Sequence, residues 1–437
     1  MITQVSDSLN IKIQQAFEEK SMMGLAGPGS LRQQAYEKFV ALGFPTMKNE
    51  DWKYTNLQTL LNNKDLSLLE NGQSMAYSLP AKAYEVAELD AYQLFFINGR
   101  LDESRSDSIN IEGVQVLSFQ EAQGTPVFEQ HFAAYADKTD SAIVALNTAL
   151  ADGGVFIHVA RNVVLDKPIH LIRVSSSSDP VFTLSRNLFV MEAFAEAEIL
   201  ESFVSADDEN HALNINNQVT EIALAENAKL QHYMIQTADP NSKYVSHIEV
   251  HQRKHSLYNN YNANFPGSDF VRNDINVRMD DPEVESHLYG LVLLNKDQFV
   301  DNHTIVDHMM PHGESYEWYK TITQDASTAV FNGKIFVRED AQKTNAFQQN
   351  NNVQIGERSS VYSKPQLEIF ADDVKCSHGC TIGQFDDESL FYLRSRGIGE
   401  DKARVLLVQA FAFDVTSRFE NEVIRKHVEK LIEKNLD

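Results

Sequence analysis

Ala195-Glu196-Ala197-Glu198-Ile199-Leu200 reads as an acidic, small-residue turn that runs into alternating apolar positions. The unit returns at Ala225-Glu226-Asn227-Ala228-Lys229-Leu230 and at Gln324-Asp325-Ala326-Ser327-Thr328-Ala329-Val330, with irregular spacing. A period of two also marks Gly154-Val155-Phe156-Ile157-His158-Val159 and Leu184-Ser185-Arg186-Asn187-Leu188-Phe189-Val190, and this texture runs from about Tyr92 to about Ile382. Nearly three hundred residues of short strands without an amphipathic helix predict a β-solenoid, whose rungs bury their inward residues only by stacking. A two-sheet sandwich would need about a hundred residues per domain, and no linker divides the region that way. Within it, Gln348-Gln349-Asn350-Asn351-Asn352 suits an amide ladder between rungs, although an exposed loop is the simpler expectation.

Helical periodicity appears on both sides. Leu31, Ala35, Phe39 and Leu42 share a face, with Ser30 as N-cap and Gly43 then Pro45 as a stop. Leu9, Ile13 and Phe17 predict an earlier helix, Gly24 to Gly29 punctuates the two, and Asn49-Glu50-Asp51-Trp52-Lys53-Tyr54-Thr55 reads as an ordered connector. After Phe385 the period is again 3.6, with one stripe at Ala403, Leu406, Leu407, Ala410 and Phe411 and another at Ile424, Val428, Leu431 and Ile432. The last helix is expected either to cap the open rung or to dock a partner helix. The predicted organisation is a helical region and connector over 1–90, a solenoid core over 91–385 and a helical region over 386–437.

A net charge of -24 disfavours nucleic acid and anionic membrane surfaces as partners. Met1 to Ile13 lacks a leader's basic start and apolar core, and no segment approaches the roughly 18 apolar residues of a membrane span. A cytoplasmic setting with reduced thiols is expected. There is no G-x-x-x-x-G-K-[ST] phosphate loop, the sequence Asn332-Gly333-Lys334 lacking the rest, and no G-x-G-x-x-G, H-E-x-x-H or G-x-S-x-G. His303, His308 and His312 form a loose cluster, expected to be ordinary hydrogen-bonded or surface histidines. The turns at Asp280-Asp281 and Asp372-Asp373 would serve a solenoid hydrolase only if their carboxylates converged in a groove.

Both cysteines lie in Asp372-Asp373-Val374-Lys375-Cys376-Ser377-His378-Gly379-Cys380. On a strand, Cys376, His378 and Cys380 share a face with Val374 and Ile382, while Lys375, Ser377 and Thr381 point the other way. Four strand residues span roughly 13 Å, too far for a disulfide unless the strand breaks at Gly379. Cys376 and His378 are neighbours able to share a metal or cluster, but three ligands leave a tetrahedral site incomplete, so a further ligand must come from elsewhere. The competing reading is small, soft side chains packed as core.

From Phe331 to Phe411 the chain resembles the SufB/SufD family of iron-sulfur cluster scaffold subunits. The resemblance is carried by Phe331-Asn332-Gly333-Lys334-Ile335, Asp340-Ala341-Gln342-Lys343-Thr344, Pro365 to Gly379, and Leu390-Phe391-Tyr392-Leu393-Arg394-Ser395-Arg396-Gly397-Ile398. Weaker agreement reaches Glu50 to Thr55 and Phe96-Ile97-Asn98-Gly99, and the Asp-Asp-Val-Lys-Cys-Ser-His-Gly strand favours the SufD branch. The resemblance implies a right-handed parallel β-helix between helical ends, pairing with SufB through the β-helices, and a SufC ATPase docked after about Asp386. It also implies a non-catalytic scaffold role, with Cys376 and His378 at the SufB interface where iron or a transient iron-sulfur cluster is held. Lys375 or a partner's charge is expected to favour the Cys376 thiolate. Cys380 departs from the small residue expected there and is an additional candidate ligand. Reduced flavin is associated with a related complex, but no flavin site is recognisable here, and the isolated chain is a candidate homodimer. The alternatives are a β-solenoid carbohydrate-active enzyme and a purely structural adaptor.

Overall fold

The computed structural model describes residues 7–25, 29–69, 84–206, 211–384 and 387–436. The alternating segments form parallel strands that step between two sheets, each strand pairing with the one two places along the chain. One sheet runs from Val155–Val159 through Val181–Met191, Asn214–Leu224, Ser242–Gln252, Phe270–Met279, Phe299–His308 and Thr328–Val337 to Ser360–Ile369. The other runs from Tyr92–Ile97 through Ile169–Ser175, Glu196–Ser205, Lys229–Gln236, Leu257–Asn264, Glu285–Leu294, Glu314–Thr323 and Asn345–Gln354 to Lys375–Gly383. The result is a β-solenoid of about 7 turns with helices at both ends of the chain, the predicted class. In register, Phe189, Ile222, Val250, Val277, Val306 and Ile335 stack as one fully buried column, so each rung covers the apolar face of the next.

The turn units explain the irregular repeat. At the corner leading from the first sheet to the second, Asn162, Phe194, Asn227, His255, Glu283, His312 and Lys343 recur in the left-handed region with φ between 57 and 63°. Their N–H groups bond across rungs, as from Asn227 to Lys254, Glu283 to Pro311 and Lys343 to Asp373. Lys296 and Asp325 are also left-handed at the opposite corner, where the Lys296 N–H donates to the Asp325 carboxylate of the next rung at 2.7 Å. The units at Ala195 and Ala225 therefore occupy one corner and that at Gln324 the other, so no single spacing relates them.

Three expectations are corrected. The strand region contains helices, Phe119–Ala122, Pro126–His131 and Ala142–Leu150, and the last is buried on every side. A helix enclosed all round carries no polar face, so it has no amphipathic signature. It sits with Leu9, Ile13, Phe17, Ala35 and Phe39 against the outer face of the first sheet, whereas Leu31 and Leu42 of the predicted stripe stay exposed. Gln348 to Asn352 is the amide ladder and not a loop: Gln348, Asn350 and Asn352 point inward and are buried, because Glu317, the Tyr319 carbonyl and neighbouring amides receive their N–H groups. The C-terminal helices Glu400–Thr416 and Glu422–Lys434 neither cap the open rung nor stand free. They lie along the outer face of the second sheet on Tyr233, Tyr261 and Tyr289. The buried stripe of the first is Ala403, Val408, Ala412 and Val415, with Leu406 exposed. That helix is apolar on several faces, and Phe419, just past its end, packs on the tyrosine ladder at 4.8 Å from Tyr261.

Candidate functional site at the terminal rung

Ser360–Ile369 and Lys375–Gly383 end their sheets, each pairing on one side only, so both leave an unpaired edge. Lys375–Gly383 is an unbroken strand, both cysteines are free, and the spacing separates them as expected. Cys376, His378 and Cys380 stand in register with Ala346, Gln348 and Asn350 on the inward face. With no further rung above them, that face opens to solvent. Cys376 is half-buried against the core, while His378 and Cys380 are exposed. The Cys380 thiol donates to Ser363 Oγ at 3.2 Å, and that hydroxyl donates to Asn350 Oδ1 at 2.7 Å.

Burial pushes the Cys376 thiol up, against a smaller opposing effect of its backbone bond with Ala346. The expectation that Lys375 favours the thiolate is therefore corrected: its exposed side chain occupies the opposite face, and loss of water controls the sulfur. A metal bound at Cys376 would have to displace its proton. Among the described residues no three His, Cys, Asp or Glu side chains converge to hold a metal ion. Positions two apart on one strand lie roughly 6.6 Å apart, so the three inward side chains form a row and do not converge on one point.

The other candidates do not converge. His303 pairs with Asp301 at 3.0 Å on the outer face, His308 is fully buried and bonded to Ser315 at 2.8 Å, and His312 is an exposed corner residue. Asp280 is engaged by His251 and Arg278, and Asp373 by Lys343 on a different rung. These two carboxylates are thus held in ion pairs on separate rungs.

The structure adds residues behind the site that the sequence reading did not single out. Glu317, fully buried, accepts from Thr304 Oγ1 at 2.6 Å and from Gln348 Nε2 at 3.2 Å. Desolvation nevertheless pushes its carboxyl from 4.5 up to about 7. The available signal was a carboxylate at an inward position of a strand, between Ser315 and Tyr319. The sign follows: the folded protein binds this proton more tightly than the unfolded chain, so the carboxyl costs stability increasingly as pH rises from 4.5 through about 7. Glu317→Gln is expected to be more stable than the parent by about 3 kcal/mol near pH 8 and by little near pH 5, read by urea unfolding at both. An equal difference at the two pH values would refute the assignment.

On the outer side, the connector is strapped to the first sheet, from its last strand Ser360–Ile369 back to Phe270–Met279. Tyr54 stacks on Tyr362 at 4.3 Å, Glu50 pairs with Lys364 at 2.7 Å, and Trp52 lies over the buried Arg272 guanidinium at 4.0 Å. Farther along, helix Asp387–Ser395 exposes Phe391 and Tyr392 beside a cavity of about 870 Å³ that reaches Leu407. No helix among the described residues is long and apolar enough to cross a membrane.

Comparison with known proteins covers most of the chain. Residues 173–411 match the SUF system FeS cluster assembly, SufBD core domain, and residues 12–171 match the SufBD protein N-terminal region. The iron-sulfur cluster assembly protein SufD of Escherichia coli is 31% identical over 91% of this chain and 90% of its own length. An iron-sulfur cluster assembly SufBD family protein of Synechocystis is 30% identical over 92% and 90%. SufD of Bacillus subtilis is 24% identical over 93% of each.

Proposed function

Because the chain belongs to the SufBD family of iron-sulfur cluster assembly proteins, we propose that it is the SufD-type, non-catalytic scaffold subunit of a cytoplasmic SufBCD complex. The observation that carries this reading is the open terminal rung, where two unpaired strand edges flank an inward row of Cys376, His378 and Cys380. A second β-helix added to those edges, that of SufB, satisfies their backbone groups and closes the lumen over the row. Ligands from both chains then surround iron or a nascent cluster, which is cargo at the interface. Cys376 and His378 supply sulfur and nitrogen, and Cys380, already bonded to Ser363, is the weaker candidate.

The SufC ATPase is assigned to the helices after about Asp386. Phe391 and Tyr392 form an exposed aromatic patch on a helix that adds little to the core. Native mass spectrometry of the chain co-expressed with its own SufB and SufC, without oxygen, tests both contacts. One copy of this chain, one SufB and two SufC are expected. Phe391→Asp is expected to leave the fold within about 0.5 kcal/mol, keep SufB, and weaken the SufC contact at this subunit at least about tenfold. A chain that stays alone or pairs only with itself, while SufB and SufC assemble without it, would overturn the reading.

A further inference from the structure

Resting on the reading of the terminal rung as the assembly site, we propose that Gln348 is the positioning residue for His378. Its buried carboxamide oxygen, without a donor in the structure as it stands, accepts the ring N–H when the exposed His378 ring turns toward the lumen, and so fixes which imidazole nitrogen is presented to the partner. Gln348 and His378 are directly in register on neighbouring strands, on the same inward face, where backbones run about 4.8 Å apart. Gln348 is 2% exposed. Its Nε2 donates to Glu317, and its Oε1 is buried with no hydrogen-bond partner among the described residues. Above about pH 7 Glu317 is ionised and only accepts, so the amide nitrogen faces it and the oxygen is left without a donor. A buried acceptor without a donor is costly, and the adjacent imidazole is the group placed to supply one.

The Asn332-Gly333-Lys334 segment, which matches no phosphate loop, has a role in this arrangement. A Cβ on Gly333 would come within 2.3 Å of Gln348 Nε2 and 2.7 Å of the Phe331 ring. The bare backbone at Gly333 is what lets the Gln348 side chain lie across the lumen toward Glu317. Thr304, Glu317, Gln348 and His378 then form a line of groups in which each orients the next. An imidazole that ligates a metal through one nitrogen ordinarily has its other N–H held by such an acceptor.

The test is the tautomer of His378 in the full-length protein. Ring-nitrogen NMR of protein labelled with 15N-histidine, at about pH 8 where imidazole is neutral, reads it directly, with His378→Gln supplying the assignment. The wild-type ratio is expected to differ from that of free imidazole by about fivefold or more, the equivalent of one net hydrogen bond. Gln348→Met, which keeps the shape and removes the amide, is expected to return the ratio to the free value. Gly333→Ala, which keeps the amide and displaces it, is expected to do the same. A wild-type ratio equal to that of free imidazole overturns the proposal without any variant, and so does a bias that survives Gln348→Met. The readout needs neither partner nor cluster. If the bias is present while His378→Ala supports full cluster formation, the assembly reading fails and the positioning stands.

Discussion

Cells whose only copy of this subunit carries His378→Ala are expected to mature iron-sulfur enzymes at least about tenfold more slowly, because on the proposed reading a ligand of the shared site is gone and not merely reoriented. The complex itself should form at its normal stoichiometry, since His378 is exposed on the terminal rung and contributes little to the core. Cys376→Ala is expected to cause a comparable loss with a different secondary cost: Cys376 is half-buried against the apolar lumen, and alanine also removes that packing. Cys376→Ser separates the two, keeping the volume and losing the soft ligand. Activity of a cluster-dependent enzyme under iron limitation, measured with the mutant complex isolated in parallel, gives the answer. Alanine variants at Cys376 and His378 that both support full maturation would remove these residues from the mechanism and leave a structural adaptor. Cys380→Ala is expected to have the smallest effect of the three, because its thiol is already committed to Ser363.

The largest loss of stability is expected at a site far from this rung. Glu221 and Arg186 are both fully buried on the outer face of the first sheet, paired at 2.8 Å. Glu221 also accepts backbone N–H groups from Ala133 at 2.8 Å and from Tyr135 and Ala136 at 2.9 Å. One carboxylate thus holds a guanidinium and the start of the segment that leads into helix Ala142–Leu150. Glu221→Ala would leave three donors unanswered and the buried Arg186 with only the Thr148 hydroxyl at 2.8 Å and the Asp137 carboxylate at 3.6 Å, and is expected to cost about 3–5 kcal/mol in urea unfolding. Glu221→Gln, which can still accept, should cost about 1–3 kcal/mol. Replacing Arg186 and Glu221 together by apolar residues is expected to recover only the part of the loss that lies in the unpaired charge, because the three backbone donors stay unanswered. A loss below about 1 kcal/mol for Glu221→Ala would mean that the segment is held by its apolar contacts alone.

Much of the site was legible before any coordinates. The two-residue period places Cys376, His378 and Cys380 on one face whatever the sheet around them, and it forbids their disulfide. The family-like motifs of Phe331 to Phe411 and the break in period after Phe385 marked where strands give way to helices. What lies behind the ligands was less legible. Gln348, Glu317 and Thr304 belong to three strands distant in the chain, and nothing in a single segment says that they meet. The thiolate expectation failed for the same reason: Lys375 is adjacent to Cys376 in sequence and on the opposite face in space.

The alternation of side chains along each segment, the left-handed turn residues and the Ser30 cap are local properties, and they set the class of fold and the composition of its exposed row through the chain's own stereochemistry. Which strand is last, and therefore which inward face opens to solvent, depends on how many rungs stack and on where the flanking helices come to rest. The C-terminal helices settle on the tyrosine ladder of the second sheet and leave the end of the solenoid uncovered. That placement is decided by burial summed over residues from the whole length of the chain, and only the assembled tertiary structure performs that sum.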